Sequence, residues 1–197
     1  PPTHYFQSEE VIRDNGAGIV GSEMCIRDSI RSYNFLQRSP MDVYAEKRVM
    51  RALKKGFPYV FSKFKYPGVP QIRRHTISVD PFRIGSLEII PIRLMHHRLP
   101  VLGFRIGGFA YLTDVNYISR KEKEKLKGLK FLAVCALRRE THISHFTLSQ
   151  AIELINELDP EMGYLTHISH QLGRSSLLKK ELPLNIQTAY DGLVLEV

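Results

Sequence analysis

A chain of 197 residues with 43% hydrophobic and 24% charged positions can bury one sizeable core, which indicates a soluble globular protein of one domain or most of one. The net charge of +8 is spread through segments in which acids alternate with bases, so it favours solvated helix faces over a dedicated nucleic-acid groove. No apolar run reaches the roughly 18 residues of a membrane span and no secretory pattern is visible, so we expect a cytoplasmic protein without a membrane partner.

Residues 1–29 come first in chain order, and we interpret them as foreign sequence. The ten residues VGSEMCIRDS, Val20 to Ser29, resemble one reading frame of the transposase-adapter DNA used to prepare sequencing libraries. A natural loop or short helix is the alternative, although a match of this length is rare by chance. We therefore expect residues 1–29 to be an artefact without order, and we begin the fold at Ile30.

From residue 30 onward the pattern predicts a single α+β domain that covers residues 30–197. The segment MDVYAE predicts a short strand, and AEKRVMRALKKG predicts a helix with Val49, Ala52 and Leu53 on one face and a stop at Gly56. The segment FPYVFSKFKYPGVPQI is typical of a loop. Further runs predict strands: IRRHTISV, SLEIIPIRLM, VLGFRI, FAYLTD, FLAVCAL, MGYLT, IQTAY and LVLEV.

Two turns and a second helix punctuate these strands. RIGGFAYL predicts a hairpin, and AYDGL predicts a turn at Asp191 and Gly192 before a closing strand. TLSQAIELINEL predicts a helix that ends at Asp159 and Pro160, with one apolar face formed by Leu148, Ala151, Ile152, Ile155 and Leu158. The two cysteines exclude a disulfide framework, and the apolar run FLAVCAL predicts that Cys135 is buried and structural.

Several predicted strands stop at side chains that can bind metal. One run delivers His96 and His97, FAYLTD delivers Asp114, and GYLTHISH delivers His167 and His170. Imidazole and carboxylate at one sheet edge suit a divalent cation such as Zn²⁺ or Mn²⁺. A lone histidine is usually exposed or part of a core, so spacing alone leaves both interpretations open.

Five segments carry a resemblance to a known family: SYNFLQRSPMDVYAEKRVMRALKKGFPYVF, LMHHRLPVLGFRIGGFAYLTD, ALRRETHISHFTLSQA, YLTHISHQLG and AYDGLVLEV. Together they resemble the latter two-thirds of a metallo-β-lactamase-fold hydrolase. The nearest branch is the carbon-phosphorus lyase accessory phosphodiesterase, which opens cyclic ribose phosphates. The resemblance implies an αβ/βα sandwich with a two-metal site between its sheets.

The resemblance also implies roles for individual residues. In that branch, the histidine after the LM strand binds one metal, the aspartate after LTD bridges both metals, and the first histidine of THISH binds the second. These positions correspond to His96, Asp114 and His167. A further family histidine helps to protonate the leaving oxygen, and it corresponds to His145, just before the second helix, where a loop and a helix N-terminus suit an anion.

Three more histidines neighbour these positions: His97, His142 and His170. Metal-bound histidines need outer hydrogen-bond partners, so we expect supporting or structural roles for these three.

The reaction that the resemblance implies is metal-assisted hydrolysis. A hydroxide held between two cations would attack phosphorus, and the cations, Zn²⁺ or Mn²⁺, would neutralise the developing charge. The family motif H-x-H-x-D-H should stand just before IRSYNFLQ, where this chain has VGSEMCIRDS. We therefore expect the first strands of the N-terminal sheet to be missing. The printed chain should then be inactive and bind at most one metal weakly, while its intact parent is an active two-metal hydrolase.

Alternatives from other classes remain open at this point. An RNA-processing nuclease of the same superfamily would suit the basic charge but would usually show a Gly/Pro-rich projecting arm, which is not visible here. A non-catalytic binding module on the same scaffold is the other alternative. The expected partner is a small phosphorylated substrate, with nucleic acid less favoured, and a homo-oligomer is left open.

Overall fold

The protein is described here by a computed structural model that covers residues 30–64 and 67–196. The interpretation of residues 1–29 as an artefact lies outside the described residues. The chain divides into two compact units, the first ending at Ser78 and the second beginning at Val79. Within the described ranges, no helix combines the length and the apolar character that a bilayer crossing requires.

The first unit combines a two-stranded sheet with short helices. Its elements are α1 (Arg31–Gln37), β1 (Met41–Glu46), α2 (Lys47–Gly56), a 3₁₀ turn (Pro58–Phe61) and β2 (Ile72–Ile77). Strands β1 and β2 pair in parallel. A small apolar cluster of Ile30, Phe57 and Val60 lies in this unit. The residues predicted to form the apolar face of α2 are only half-buried. The buried residue of this helix is Met50, one position away from Val49.

The second unit contains the remaining elements. Its strands are β3 (Phe82–Ile84), β4 (Leu87–His96), β5 (Leu99–Ile106), β6 (Phe109–Leu112), β7 (Tyr117–Ile118), β8 (Phe131–Cys135), β9 (Met162–Thr166) and β10 (Ile186–Thr188). Its helices are α3 (Arg120–Glu124), α4 (Leu148–Leu158), α5 (Ser175–Glu181) and a 3₁₀ turn (His170–Leu172).

These eight strands form one sheet in the order β10-β9-β8-β6-β5-β4-β3, with β7 paired to β4. The pairs among β6, β8, β9 and β10 are parallel, whereas those among β3, β4, β5 and β6 are antiparallel. The predicted hairpin is confirmed: β5 turns into β6 through Gly107 and Gly108, and Gly107 has a φ of 55°. Strand β8 is buried along nearly its whole length, as expected for a parallel strand inside a sheet.

Helix α4 covers the second unit's core. It begins after Thr147, whose side chain accepts a hydrogen bond from the Gln150 backbone while the Gln150 side chain accepts one from the Thr147 backbone. It ends at Asp159, as predicted, in a left-handed conformation. Its buried side chains are Leu148, Ala151, Leu154, Ile155 and Leu158. Leu154 therefore replaces the predicted Ile152, which packs against the core from a half-buried position.

The end of the chain differs from the prediction. The turn at Asp191 and Gly192 forms, with Gly192 at a φ of 88°, but the described residues 193–196 of LVLEV form no strand. Leu193 instead donates a backbone hydrogen bond to Tyr190 across the turn. Val194 is 82% exposed, and Leu193 and Leu195 are only half-buried, so this apolar run gains little from burial. The prediction of a closing strand was therefore wrong for this segment.

Candidate metal centre

Five strands of the second unit, β4, β6, β8, β9 and β10, run in the same direction and end at one edge of its sheet. Strands β6, β8 and β9 are parallel neighbours, and β4 shares their direction because two antiparallel pairings separate it from β6. His96 is the last residue of β4, Asp114 follows β6, and His167 follows β9. The segment after β8 leads to His145. The topology therefore gathers these side chains at one edge, where open α/β sheets bind their ligands.

Three of these side chains form a buried cluster. His96, Asp114 and His145 each offer one ligand atom, and these atoms all lie within 4.8 Å of one another. The Nε2 atoms of His96 and His145 are 3.1 Å apart, and Nδ1 of His145 is 3.9 Å from Oδ1 of Asp114. The three residues are only 5%, 3% and 7% exposed, respectively. The cluster is thus a set of polar groups removed from water within an apolar surrounding.

His167 and His142 lie next to this cluster. Nε2 of His167 is 3.6 Å from Oδ1 of Asp114, and the rings of His167 and His145 have centroids 4.8 Å apart. The ring of His142 stacks on that of His145 at 5.0 Å. His142 also accepts a hydrogen bond from the backbone N–H of Ser144. The imidazoles of His96, His145 and His167 therefore lie near the Asp114 carboxylate, and His142 stacks on the outer side of this group against His145.

The backbone is left-handed at several of these strand ends. Among the described residues, the non-glycine residues with positive φ are Arg38, His97, Asp114, Asp159 and His167. Arg38 and Asp159 end helices, where this conformation is usual. The other three lie at the site, with φ between 53° and 56°. Residues with side chains adopt this region at a cost of about 1 kcal/mol or more, so the surrounding structure must hold them there.

Backbone hydrogen bonds fix the loop that carries His145. Phe146 donates to the carbonyl of Val115 at 2.8 Å, and Leu137 donates to the carbonyl of Phe146 at 3.0 Å. Leu148 donates to the carbonyl of Arg138 at 2.9 Å, which joins the loop's two ends where α4 begins. His145 is therefore held between the segment after Asp114 and the segment after β8.

Burial and charge set the protonation of two groups near the cluster. Burial lowers the pKa of His142, and electrostatic repulsion by the neighbouring Arg138 and His167 lowers it further. Burial also raises the pKa of the Cys135 thiol to about 11. That thiol donates to the carbonyl of Val115 at 3.3 Å, so Cys135 is buried, as predicted.

The remaining predicted residues lie further out. His97 and His170 are exposed, His97 in the turn between β4 and β5 and His170 at the start of a 3₁₀ turn. The sequence did not single out Arg138, which donates to the carbonyls of Glu140 and Thr141 and so shapes the His145 loop. It did not single out Asn116 either. The sequence feature that could have indicated a role for Asn116 is its position two residues after Asp114.

The donor set fits a divalent cation. Metal bonds of about 2.0–2.2 Å place neighbouring ligand atoms roughly 3.5 Å apart, which is close to the separations within this cluster. Two imidazoles and a carboxylate, with His167 beside the carboxylate, suit a borderline cation. Within the part of the chain that the structure describes, this is the one such group, so the described donors suffice for one cation.

Comparison with known proteins identifies the family to which the chain is related. A family described as the Beta-lactamase superfamily domain matches residues 26–168. The chain is similar to a solved diphosphatase from the PhnP family, with a TM-score of 0.77 and 31% identity over 86% of this chain and 65% of that one. It is also similar to the short form of human tRNase Z, with a TM-score of 0.57 and 17% identity over 82% of this chain and 69% of that one.

A curated relative was also found. The chain is 39% identical over 153 residues to an octanoyltransferase of Porphyromonas gingivalis, a match that covers 77% of this chain. The chain spans only 31% of that protein's length, and it spans 65% of the PhnP-family diphosphatase.

Proposed function

Because the chain belongs to the β-lactamase superfamily, we propose that its buried cluster is part of the metal centre of a phosphodiesterase acting on small phosphorylated or cyclic phosphate substrates. The observation that carries the proposal is the convergence of His96, Asp114 and His145 within 4.8 Å at the edge where the co-directional strands of the second unit end. The 31% identity to a diphosphatase supports a phosphorus centre as the target.

Each side chain has a role in this proposal. His96, Asp114 and His167 hold the cation, for which Zn²⁺ and Mn²⁺ are the candidates. When bound, the cation supplies a Lewis acid that activates water and offsets charge on the phosphate oxygens. His145 belongs to the same buried donor group, but in this proposal it leaves the cation to the other three residues and donates a proton to the leaving alcohol. It is suited to this role because its ring is buried beside the ligands on a loop fixed from two sides.

The surface charges favour a small substrate over a long polyanion. Many lysines and arginines of the second unit pair with acids: Lys123 with Glu157, Lys125 with Glu122, Lys127 with Glu124, and Arg139 with Glu181. A groove that binds nucleic acid would need a row of lysine and arginine side chains that can contact successive phosphates. The nuclease alternative therefore rests on the fold that the chain shares with tRNase Z and on net charge.

The first experiment measures metal binding by the 197-residue chain. Titration with Co²⁺ or Zn²⁺ should show one cation per chain, since the described donors form one group. Asp114→Asn should lower the affinity by about tenfold or more because it removes the anionic ligand. His75→Gln is the matched control, since His75 lies in the first unit, and its affinity should equal that of the unmodified chain. Equal affinities for Asp114→Asn and the unmodified chain would refute the proposed centre.

The second experiment identifies the substrate class. We expect that the 197-residue chain does not hydrolyse bis-p-nitrophenyl phosphate. A chimera carries, before Ile30, an N-terminal segment of the PhnP-family diphosphatase that includes an H-x-H-x-D-H motif. It should bind two cations and hydrolyse the phosphodiester, and Asp114→Asn in the chimera should abolish turnover. An octanoyl thioester is the comparison substrate, because one relative is an octanoyltransferase. Turnover of the thioester alone would contradict the phosphodiesterase proposal, and two bound cations without any turnover would favour a binding module.

A further inference from the structure

Asn116 makes hydrogen bonds to two other segments of the second unit. Its backbone N–H donates to the carbonyl of Met95 at 2.9 Å. Its side-chain oxygen accepts a hydrogen bond from the backbone N–H of His97 at 2.8 Å. Its side-chain amide donates to the carbonyl of Ile143 at 3.2 Å. The side chain thus uses its acceptor and its donor on different loops.

Each of these bonds ends next to a residue of the metal centre. Met95 and His97 flank His96 in the chain, and Ile143 lies two residues before His145. Asn116 itself lies two residues after Asp114. One side chain therefore connects the three chain segments that supply the buried cluster, although it is not among the clustered donors.

We propose that Asn116 is a positioning residue that fixes the loops of His96 and His145 relative to Asp114. This inference rests on the proposed metal centre. Asparagine is suited to the role because its side chain both accepts and donates hydrogen bonds, whereas leucine, of similar size, does neither. The bond to His97 also stabilises a residue held at a φ of 56°, a conformation that needs support from its surroundings.

A positioning role differs measurably from a merely structural one. Loss of a structural contact lowers the stability of the chain but leaves the metal affinity of the folded molecules unchanged. Loss of a positioning contact weakens metal binding in molecules that remain folded, because the ligands no longer start from the correct separation. Metal affinity must therefore be measured together with thermal unfolding.

The test compares the variants Asn116→Ala and Asn116→Leu with Asn156→Ala. Asn156 is an exposed residue of helix α4 and serves as the matched control. Affinity for Co²⁺ and its visible absorption spectrum are measured below the melting temperature of each protein. Both Asn116 variants should bind Co²⁺ about tenfold or more weakly with an altered spectrum, and the control should match the unmodified chain. Unchanged Co²⁺ affinity and spectrum in both Asn116 variants would overturn the inference.

A second readout needs no metal. Hydrogen exchange of the His97 amide should become about tenfold faster in both Asn116 variants, and NMR contacts between the rings of His96 and His145 should weaken. If the unmodified chain binds no Co²⁺, the proposed metal centre fails, and this measurement still decides whether Asn116 positions the two loops. Slow exchange and intact ring contacts in the variants would overturn the inference on their own.

Discussion

Replacing Gly163 with alanine should destabilise the chain, because helix α4 lies directly against this position of strand β9. A Cβ added at Gly163 would lie 2.8 Å from both Cδ1 and Cγ2 of Ile155 and 3.1 Å from its Cγ1. Ile155 is fully buried and β-branched, so it cannot turn away from the new methyl group without disturbing its neighbours. Helix α4 or strand β9 must therefore shift.

The expected cost follows from these contacts. Overpacking by one methyl group costs about 1–3 kcal/mol, and about 0.4–1 kcal/mol is regained because alanine restricts the unfolded chain. The net loss in the free energy of unfolding should be about 1–2 kcal/mol. Ile155→Val removes Cδ1, one of the two atoms at 2.8 Å, so Gly163→Ala should cost less in that background.

Urea denaturation followed by circular dichroism measures these differences. Gly56→Ala is the control, since an added Cβ there meets nothing within 4 Å, and it should be neutral or stabilising by up to about 1 kcal/mol. If the Gly163→Ala variant were as stable as the unmodified chain, this account of the contact between helix α4 and strand β9 would be refuted. An equal cost in the Ile155→Val background would show that Cδ1 of Ile155 contributes nothing to the clash.

Three further predictions concern charge, reactivity and helix capping. Burial raises the pKa of Asp42, but hydrogen bonds with His75 and a neighbouring arginine outweigh it and hold the pKa below 3.8. The Asp42 carboxylate should therefore stabilise the fold above pH 3.8. The difference in urea midpoint between the unmodified chain and Asp42→Asn should shrink as the pH falls below that value. A difference that stays constant with pH would contradict this prediction. Because burial raises the pKa of Cys135 to about 11, only about one thiol in a thousand is ionised at pH 8, so a Cys25→Ser variant should react with a disulfide reagent only after denaturation. Rapid labelling of the native variant would be inconsistent with that burial. Thr147→Ala should lower the free energy of unfolding by about 1–2 kcal/mol in urea titrations, whereas the serine variant should retain most of it, since the hydroxyl caps α4.

The family and the fold were accessible from the sequence because their signals are local. The predicted metallo-β-lactamase-fold relationship is confirmed by the superfamily match, and the branch by the PhnP-family diphosphatase. Strands β4, β6 and β9 carry apolar runs that stop at His96, Asp114 and His167. Those stops predicted a common edge, and the sheet topology brings the three strand ends there. The catalytic and metal-binding roles of these residues stay predictions.

What the sequence could not predict depends on contacts between distant segments. The 3.1 Å approach of His145 to His96 depends on a loop held by hydrogen bonds from Phe146 to Val115 and from Leu148 to Arg138. The short strand β7 forms only because β4 offers it a partner. The β-type run LVLEV predicted a strand where the described residues 193–196 form none, since a strand also needs a neighbouring strand to pair with.

In the second unit, the metal-binding edge of the sheet and the turn between β5 and β6 lie at opposite ends of the strands. Since β4, β6, β8 and β9 all finish at the metal edge, they all start at the opposite edge, together with the turn at Gly107 and Gly108. Peptide inserted in that turn lengthens a hairpin at the far end of β5 and β6, a strand length away from Asp114. A fluorescent reporter or a surface anchor attached at this turn would therefore lie far from the histidines, provided that the hydrogen bonds from Lys130 and Phe131 to the carbonyl of Gly108 are kept.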